Sequence, residues 1–283
     1  MTDKPTTASG YHVEHVALVR ATCLYVATKL GDLMDELVVV GGLVPSLLIE
    51  QQSLPQGTQA HVGTMDLDVG ITLALLDEGR YRTLTERLKR AGFSQDTNEQ
   101  GNPTRQRWKI EQAEKVTVDF LIQPSDVGDR GGTLRDIEPD FAAVIAPGLH
   151  LAFQDRALVH ISGLTIMNEQ ADRKVWVCGP GAYVVLKSLA FDLRGENKDA
   201  YDLFYLIRNF GMGIADSAMR LKPLLEDPTA AEAIRILRRD FLDHDAVGPR
   251  RVAEFLEGGS DDTIQADVVG YVRGLLEALH LPE

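Results

Sequence analysis

Two aspartates one residue apart, Asp66 and Asp68, stand in the run Thr64-Met65-Asp66-Leu67-Asp68-Val69-Gly70-Ile71. In a strand successive side chains alternate between faces, so positions i and i+2 put both carboxylates on one face, with Leu67 and Val69 behind. Such a pair suits Mg²⁺, a hard ion that takes oxygen ligands, keeps part of its water and completes its shell with substrate phosphates. Mn²⁺ accepts the same donors. The plain alternative is a solvated edge strand with two surface acids, the commoner case for a bare D-x-D.

Three further features weigh against that alternative. Gly41-Gly42 follow directly on the apolar run Leu37-Val38-Val39-Val40. Glycine lets backbone amides approach a phosphate, and a helix opening there, over residues 43–50, adds the positive end of its dipole. Asp119 sits alone in the strand pattern Val116-Thr117-Val118-Asp119-Phe120-Leu121-Ile122, and a charge seldom enters a buried strand unpaired. Lys187 interrupts the apolar helix of residues 182–191, and Lys198-Asp199-Ala200-Tyr201-Asp202-Leu203 then brings back cations and carboxylates. Lys187 can equally be a lysine snorkelling to the surface. Lys198 and Asp202, at i and i+4 on a helix, can equally be a surface ion pair.

Together, Gly41-Gly42, Thr64-x-Asp66-x-Asp68, Asp119, Lys187 and Lys198-Asp199-x-Tyr201-Asp202-Leu203 resemble the AbiEii and MenT group of bacterial toxin nucleotidyltransferases, over residues 37–210. The resemblance implies an α/β (α+β) nucleotidyltransferase fold, a mixed sheet followed by a C-terminal helical domain. It implies that Asp66 and Asp68 bind the metal and the nucleoside triphosphate (NTP), and that Lys187 and Asp202 complete the catalytic set. Gly41, Gly42, Thr64 and Lys198 join Lys187 in holding the nucleotide. Asp119 is either a third metal ligand or the carboxylate that takes the acceptor's proton, and the residues leave that open. The implied activity is transfer of nucleotides from NTP to an RNA acceptor, the 3′ end of tRNA, which blocks translation until a separately encoded antitoxin neutralises the enzyme. Two other classes stay open: a nucleotidyltransferase acting on a small molecule or a protein hydroxyl, and a non-catalytic nucleotide-binding protein. The chain departs from the family pattern twice. The interval between Gly42 and Asp66 is long, so residues 51–62 read as an inserted loop, and His61 and Val62 stand where an arginine is common.

The elements that must position these residues follow from the pattern. Residues 12–30 carry apolar positions at helical spacing up to Gly31, and a helix is expected from about residue 77 to Ala91, closed by Gly92. Residues 105–110 and 115–122 read as two strands of a hairpin turning at Gln112 and Ala113. Lys109 would face Asp119 only in one register. Residues 124–139, rich in Gly, Asp and Arg, read as a loop near the active face or as a plain solvated connection. Strands follow at 158–166 and 175–177, and the chain is helical from Ala182 onward.

The whole chain has 283 residues, enough for two domains, read here as a core over 1–179 and a helical domain over 180–283. Its 44% apolar and 25% charged residues are those of an ordinary globular protein. No apolar run reaches the roughly 18 residues of a membrane span. The polar first ten residues hold no apolar signal core, so a disordered start, a cytoplasmic location and no membrane partner are expected. Cys23 and Cys178 lack metal-ligand spacing and read as inert core thiols. A net charge of −13, from 42 acids and 29 bases, excludes a protein that coats nucleic acid indiscriminately. It favours a small acceptor. The basic segments at 80–90, with Arg80, Arg82 and Arg87, and at 235–251 favour RNA, and Arg105, Arg107 and Lys109 alternate onto one strand face.

Overall fold

The computed structural model describes residues 4–55, 57–72, 78–98, 100–111, 115–125 and 128–280. The chain forms two compact units that interleave in sequence. Within the described residues the first takes in Val13–Val44 and Gly63–Cys178, and the second Lys4–His12, Pro45–Val62 and the chain from Gly179 on.

The first unit is built on one mixed sheet of nine strands. In chain order they are β1 (Leu37–Val40), β2 (Asp66–Ile71), β3 (Ser94–Thr97), β4 (Pro103–Glu111), β5 (Lys115–Ile122), β6 (Leu134–Glu138), β7 (Phe141–Ile145), β8 (Arg156–Leu164) and β9 (Gln170–Cys178). The main path runs β3-β4-β5-β2-β1-β9-β8, and β7, paired with β6, joins β5. β2 and β5 are parallel while β1 and β4 run antiparallel to their neighbours β2 and β5. β1 is wholly apolar and all four of its residues are buried, as suits a strand covered on both faces. Helices α1 (Val13–Leu30), α3 (Glu78–Arg90) and α4 (Leu149–Gln154) belong to this unit, and the short α2 (Val44–Leu48), which follows β1, passes into the second unit at Pro45. Leu149 of α4 lies against Gly70 of β2, where a side chain would collide with it.

The second unit is helical: α5 (Pro180–Arg194), α6 (Asn197–Asn209), α7 (Ile214–Leu221), α8 (Pro228–Phe241), α9 (Val247–Glu257) and α10 (Asp262–Ala278). Pro180 starts α5 without losing a hydrogen bond, and Gly195 ends it in the left-handed region at φ 63°. The Asp227 and Asp261 side chains accept from the first-turn amides Thr229 N and Ile264 N, capping α8 and α10. Helix α6 packs on α5 and α9. Tyr201 and Tyr205 of α6 meet Phe255 of α9 and Ile49 in an apolar cluster that also gathers Tyr11, Leu54 and Val62.

The mixed α/β architecture agrees with the expectation from sequence, and several local readings change. Residues 51–62, expected as an inserted loop, hold neither strand nor α-helix among those described, and they belong to the second unit, where Leu54 and Val62 cover aromatic surface. The helix after Gly42 has five residues instead of running through residue 50. Residues 124–139 are not a single loop, since β6 begins at Leu134 and pairs along β7. The expected helix start at Asp77 and hairpin turn at Gln112 and Ala113 lie outside the described residues.

Candidate metal centre

A single row across the sheet carries the chemistry. Parallel pairing sets Asp68 of β2 opposite Asp119 of β5, and antiparallel pairing sets Arg107 of β4 opposite Asp119. On the other side Val40, the last residue of β1, pairs with Asp68, so Gly41 begins beside that carboxylate. Asp66, two residues before Asp68, shares its face. Opposite residues of adjacent strands stand about 5 Å apart at Cβ, which brings the three carboxylates into reach of one ion. One oxygen from each of Asp66, Asp68 and Asp119 lies within 4.8 Å of the other two.

Asp66 and Asp119 are held by side-chain hydrogen bonds. Thr64 Oγ1 donates to Asp66 Oδ1 at 3.0 Å. Arg107 donates through Nε to Asp119 Oδ1 at 2.7 Å and through Nη2 to Asp119 Oδ2 at 2.5 Å, and the same Nη2 is 3.9 Å from Asp66 Oδ2. This fork-to-fork pairing fixes the plane of the Asp119 carboxylate. The hydrogen bonds to Asp119 keep the Arg107 guanidinium more basic than an ordinary arginine, against its partial burial. Gly41 sits at φ 71°, and a Cβ there would overlap Asp68 Oδ2. Glycine at this point is therefore a requirement of both backbone and space. Asp66 and Asp119 are buried and Asp68 half-buried, so three negative charges crowd together with one arginine between them. An all-carboxylate donor set fits a hard divalent ion such as Mg²⁺ or Mn²⁺ and not a site built for zinc, which draws on nitrogen and sulfur.

The remaining predicted residues gather separately, in the second unit. Lys187 of α5 reaches Asp199 Oδ1 at 2.9 Å and Asp202 Oδ2 at 2.7 Å, both on α6. Lys198 Nζ lies 2.6 Å from Asp202 Oδ1 and His61 Nε2 2.9 Å from the same oxygen. Arg194 closes the cluster on Asp199, with Nε 2.6 Å from Oδ2. A carboxylate only accepts, so His61 Nε2 carries the hydrogen and donates it. The His61 ring is stacked on Tyr201 at 5.3 Å and meets Tyr205 edge-on at 4.8 Å.

The cluster's charges set its protonation. Burial alone would raise the Asp202 carboxyl, but Lys187, Lys198 and the His61 hydrogen bond hold it well below the usual carboxylate range. Asp199 is lowered as well, since Lys187 and Arg194 outweigh its burial. For His61 burial wins over Asp202, and the imidazole is pushed down to about 4. Burial likewise lowers Lys198, which shares Asp202 with Lys187.

Gly41, Gly42, Thr64, Asp66, Asp68 and Asp119 thus come together on the sheet, whereas Lys187, Lys198 and Asp202 serve as one another's counter-ions in the helical unit. Arg107 and His61 were the residues that sequence reasoning did not assign. For Arg107 the signal was its alternation with Arg105 and Lys109. Lys109 faces Thr117 and not Asp119. Of the basic run in α3, Arg80 pairs with Glu36 and Arg87 with Asp32, which neutralises two of the three arginines proposed for RNA. Both cysteines are buried, and burial pushes the Cys23 thiol up to about 12, as inert core thiols require. No described helix is long and apolar enough to cross a membrane. No family model and no curated protein matches the chain.

Proposed function

We propose that this protein is a divalent-metal-dependent nucleotidyltransferase. The observation that carries the reading is the convergence of Asp66, Asp68 and Asp119 within 4.8 Å on one sheet face, beside a glycine turn that sets no side chain against Asp68. Asp66, Asp68 and Asp119 are the residues that would hold Mg²⁺ or Mn²⁺. When bound, the ion neutralises triphosphate charge and orients the α-phosphorus for in-line attack. The chain's own groups prepare that event. Thr64 orients Asp66, Arg107 orients Asp119, and Gly41 keeps a side chain out of the space next to Asp68. An acceptor hydroxyl attacks the α-phosphorus, its proton passes to a carboxylate, and pyrophosphate leaves.

The acceptor and the biological role come from the resemblance: an RNA, the tRNA 3′ end, modified by a cytoplasmic toxin that a cognate antitoxin restrains. The net charge of −13 favours a small-molecule or protein hydroxyl as the second reading. Incubation with each radiolabelled NTP, Mg²⁺ and total RNA or total protein decides between them by which macromolecule takes the label. Label in neither, with every NTP and with Mg²⁺ or Mn²⁺, would remove the macromolecular acceptor. A titration of tRNA at several ionic strengths adds a physical criterion, since affinity falls by roughly 0.7 log unit per log unit of salt for each phosphate contacted on a single strand.

A further inference from the structure

Arg107 places a fixed positive charge against two of the three candidate ligands: it takes both oxygens of Asp119 and comes within 3.9 Å of Asp66. A cation so placed opposes the entry of a bare divalent ion and favours the entry of a polyanion. The geometry sets the number of ions: one oxygen from each of Asp66, Asp68 and Asp119 lies within 4.8 Å of the other two, a single grouping sized for one ion. We propose that Arg107 makes metal occupancy depend on the triphosphate, so that free metal binds weakly and at one ion per chain while the metal–nucleotide complex binds tightly. Arg107 is a positioning residue in this scheme. It sets the order in which metal and nucleotide enter, through its grip on Asp119. The inference rests on the nucleotidyltransferase reading for its nucleotide half alone.

The test is Mn²⁺ binding followed by electron paramagnetic resonance on the full chain, wild type against R107Q and R107K. Glutamine is neutral and keeps an N–H donor for Asp119, which guards the fold, and lysine keeps the charge without the fork. Wild type is expected to bind one Mn²⁺ weakly, R107Q to bind it at least about tenfold more tightly, and R107K to stay near wild type. Each of the four α,β-methylene NTP analogues is then added in turn. At least one should tighten Mn²⁺ binding in wild type by a larger factor than in R107Q. Equal Mn²⁺ affinity in wild type and folded R107Q, or two ions per wild-type chain, overturns the proposal. Equal tightening by nucleotide in both proteins overturns it too, and leaves the nucleotidyltransferase reading standing. No tightening by any analogue in either protein overturns both together.

Discussion

Asp68 and Asp119 face each other directly across the parallel strands β2 and β5. Two carboxylates in register on adjacent strands repel; Arg107 offsets part of that repulsion by pairing with Asp119, and a bound cation would relieve more of it. Asp68→Asn should therefore abolish transfer while leaving the metal-free melting temperature at or above that of wild type. Addition of Mn²⁺ should raise the wild-type melting temperature and leave that of Asp68→Asn unmoved, because only a state that binds the ion gains stability from it. Equal Mn²⁺ shifts in the two proteins would show that Asp68 is no ligand.

Gly41 offers a steric test of the same site. Its φ of 71° costs a non-glycine residue about 1–2 kcal/mol, and the added Cβ would also displace Asp68. Gly41→Ala is expected to lose most activity with a modest fall in stability. Thermal melts with single-turnover assays separate the two effects. Full activity in Gly41→Ala would mean that the turn relaxes away from Asp68 at no cost.

The carboxylates of the first unit were readable because each rule involved is local. A period of two puts Asp66 and Asp68 on one face, and one charge in an apolar strand marks Asp119. The arginine that answers Asp119 was not readable. Slipping β4 along β5 by two residues leaves every side chain on its own face, so alternation alone cannot choose between Arg107 and Lys109 as the partner. The residues that join β4 to β5 lie outside the described ones. His61 was missed for another reason: its partner Asp202 is 141 residues away, and no local periodicity records a contact of that range. The apolar Leu54 and Val62 in the loop were the one sign that residues 51–62 had something to pack against.

Lys187 now carries a structural expectation beside the nucleotide-binding one. It neutralises two carboxylates that are almost wholly buried, and removing one partner of such a group strands charge in the interior. Lys187→Ala should destabilise the protein by about 3–5 kcal/mol, and Lys187→Ala with Asp202→Leu by less than the sum of the single changes. Urea unfolding of the three variants measures both quantities. If Lys187→Ala is as stable as wild type yet binds NTP poorly, the lysine belongs to the nucleotide and not to the cluster.

The last expectation concerns acid. His61 is buried, with its pKa pushed from 6.5 down to about 4, so between those values the unfolded chain binds a proton that the folded chain refuses. Stability then rises with pH across that window and is lost as pH falls through it. Asp202 and Asp199, whose pKa values are depressed in the fold, keep their contribution down to the ordinary carboxylate range and lose it below. Acid unfolding should accordingly begin on the His61 limb, before the aspartates titrate. His61→Gln retains an N–H for Asp202 and cannot titrate, so its unfolding free energy should be flatter between about pH 4 and 6.5 while its decline at lower pH persists. His244 serves as the control. Its side chain is exposed and its pKa raised, chiefly by the hydrogen bond to Asp245, so its linkage has the opposite sign and His244→Gln should not flatten that limb. Urea titrations at a series of pH values decide the matter, and coincident profiles for wild type and His61→Gln would show that the His61–Asp202 contact does not shape the acid response.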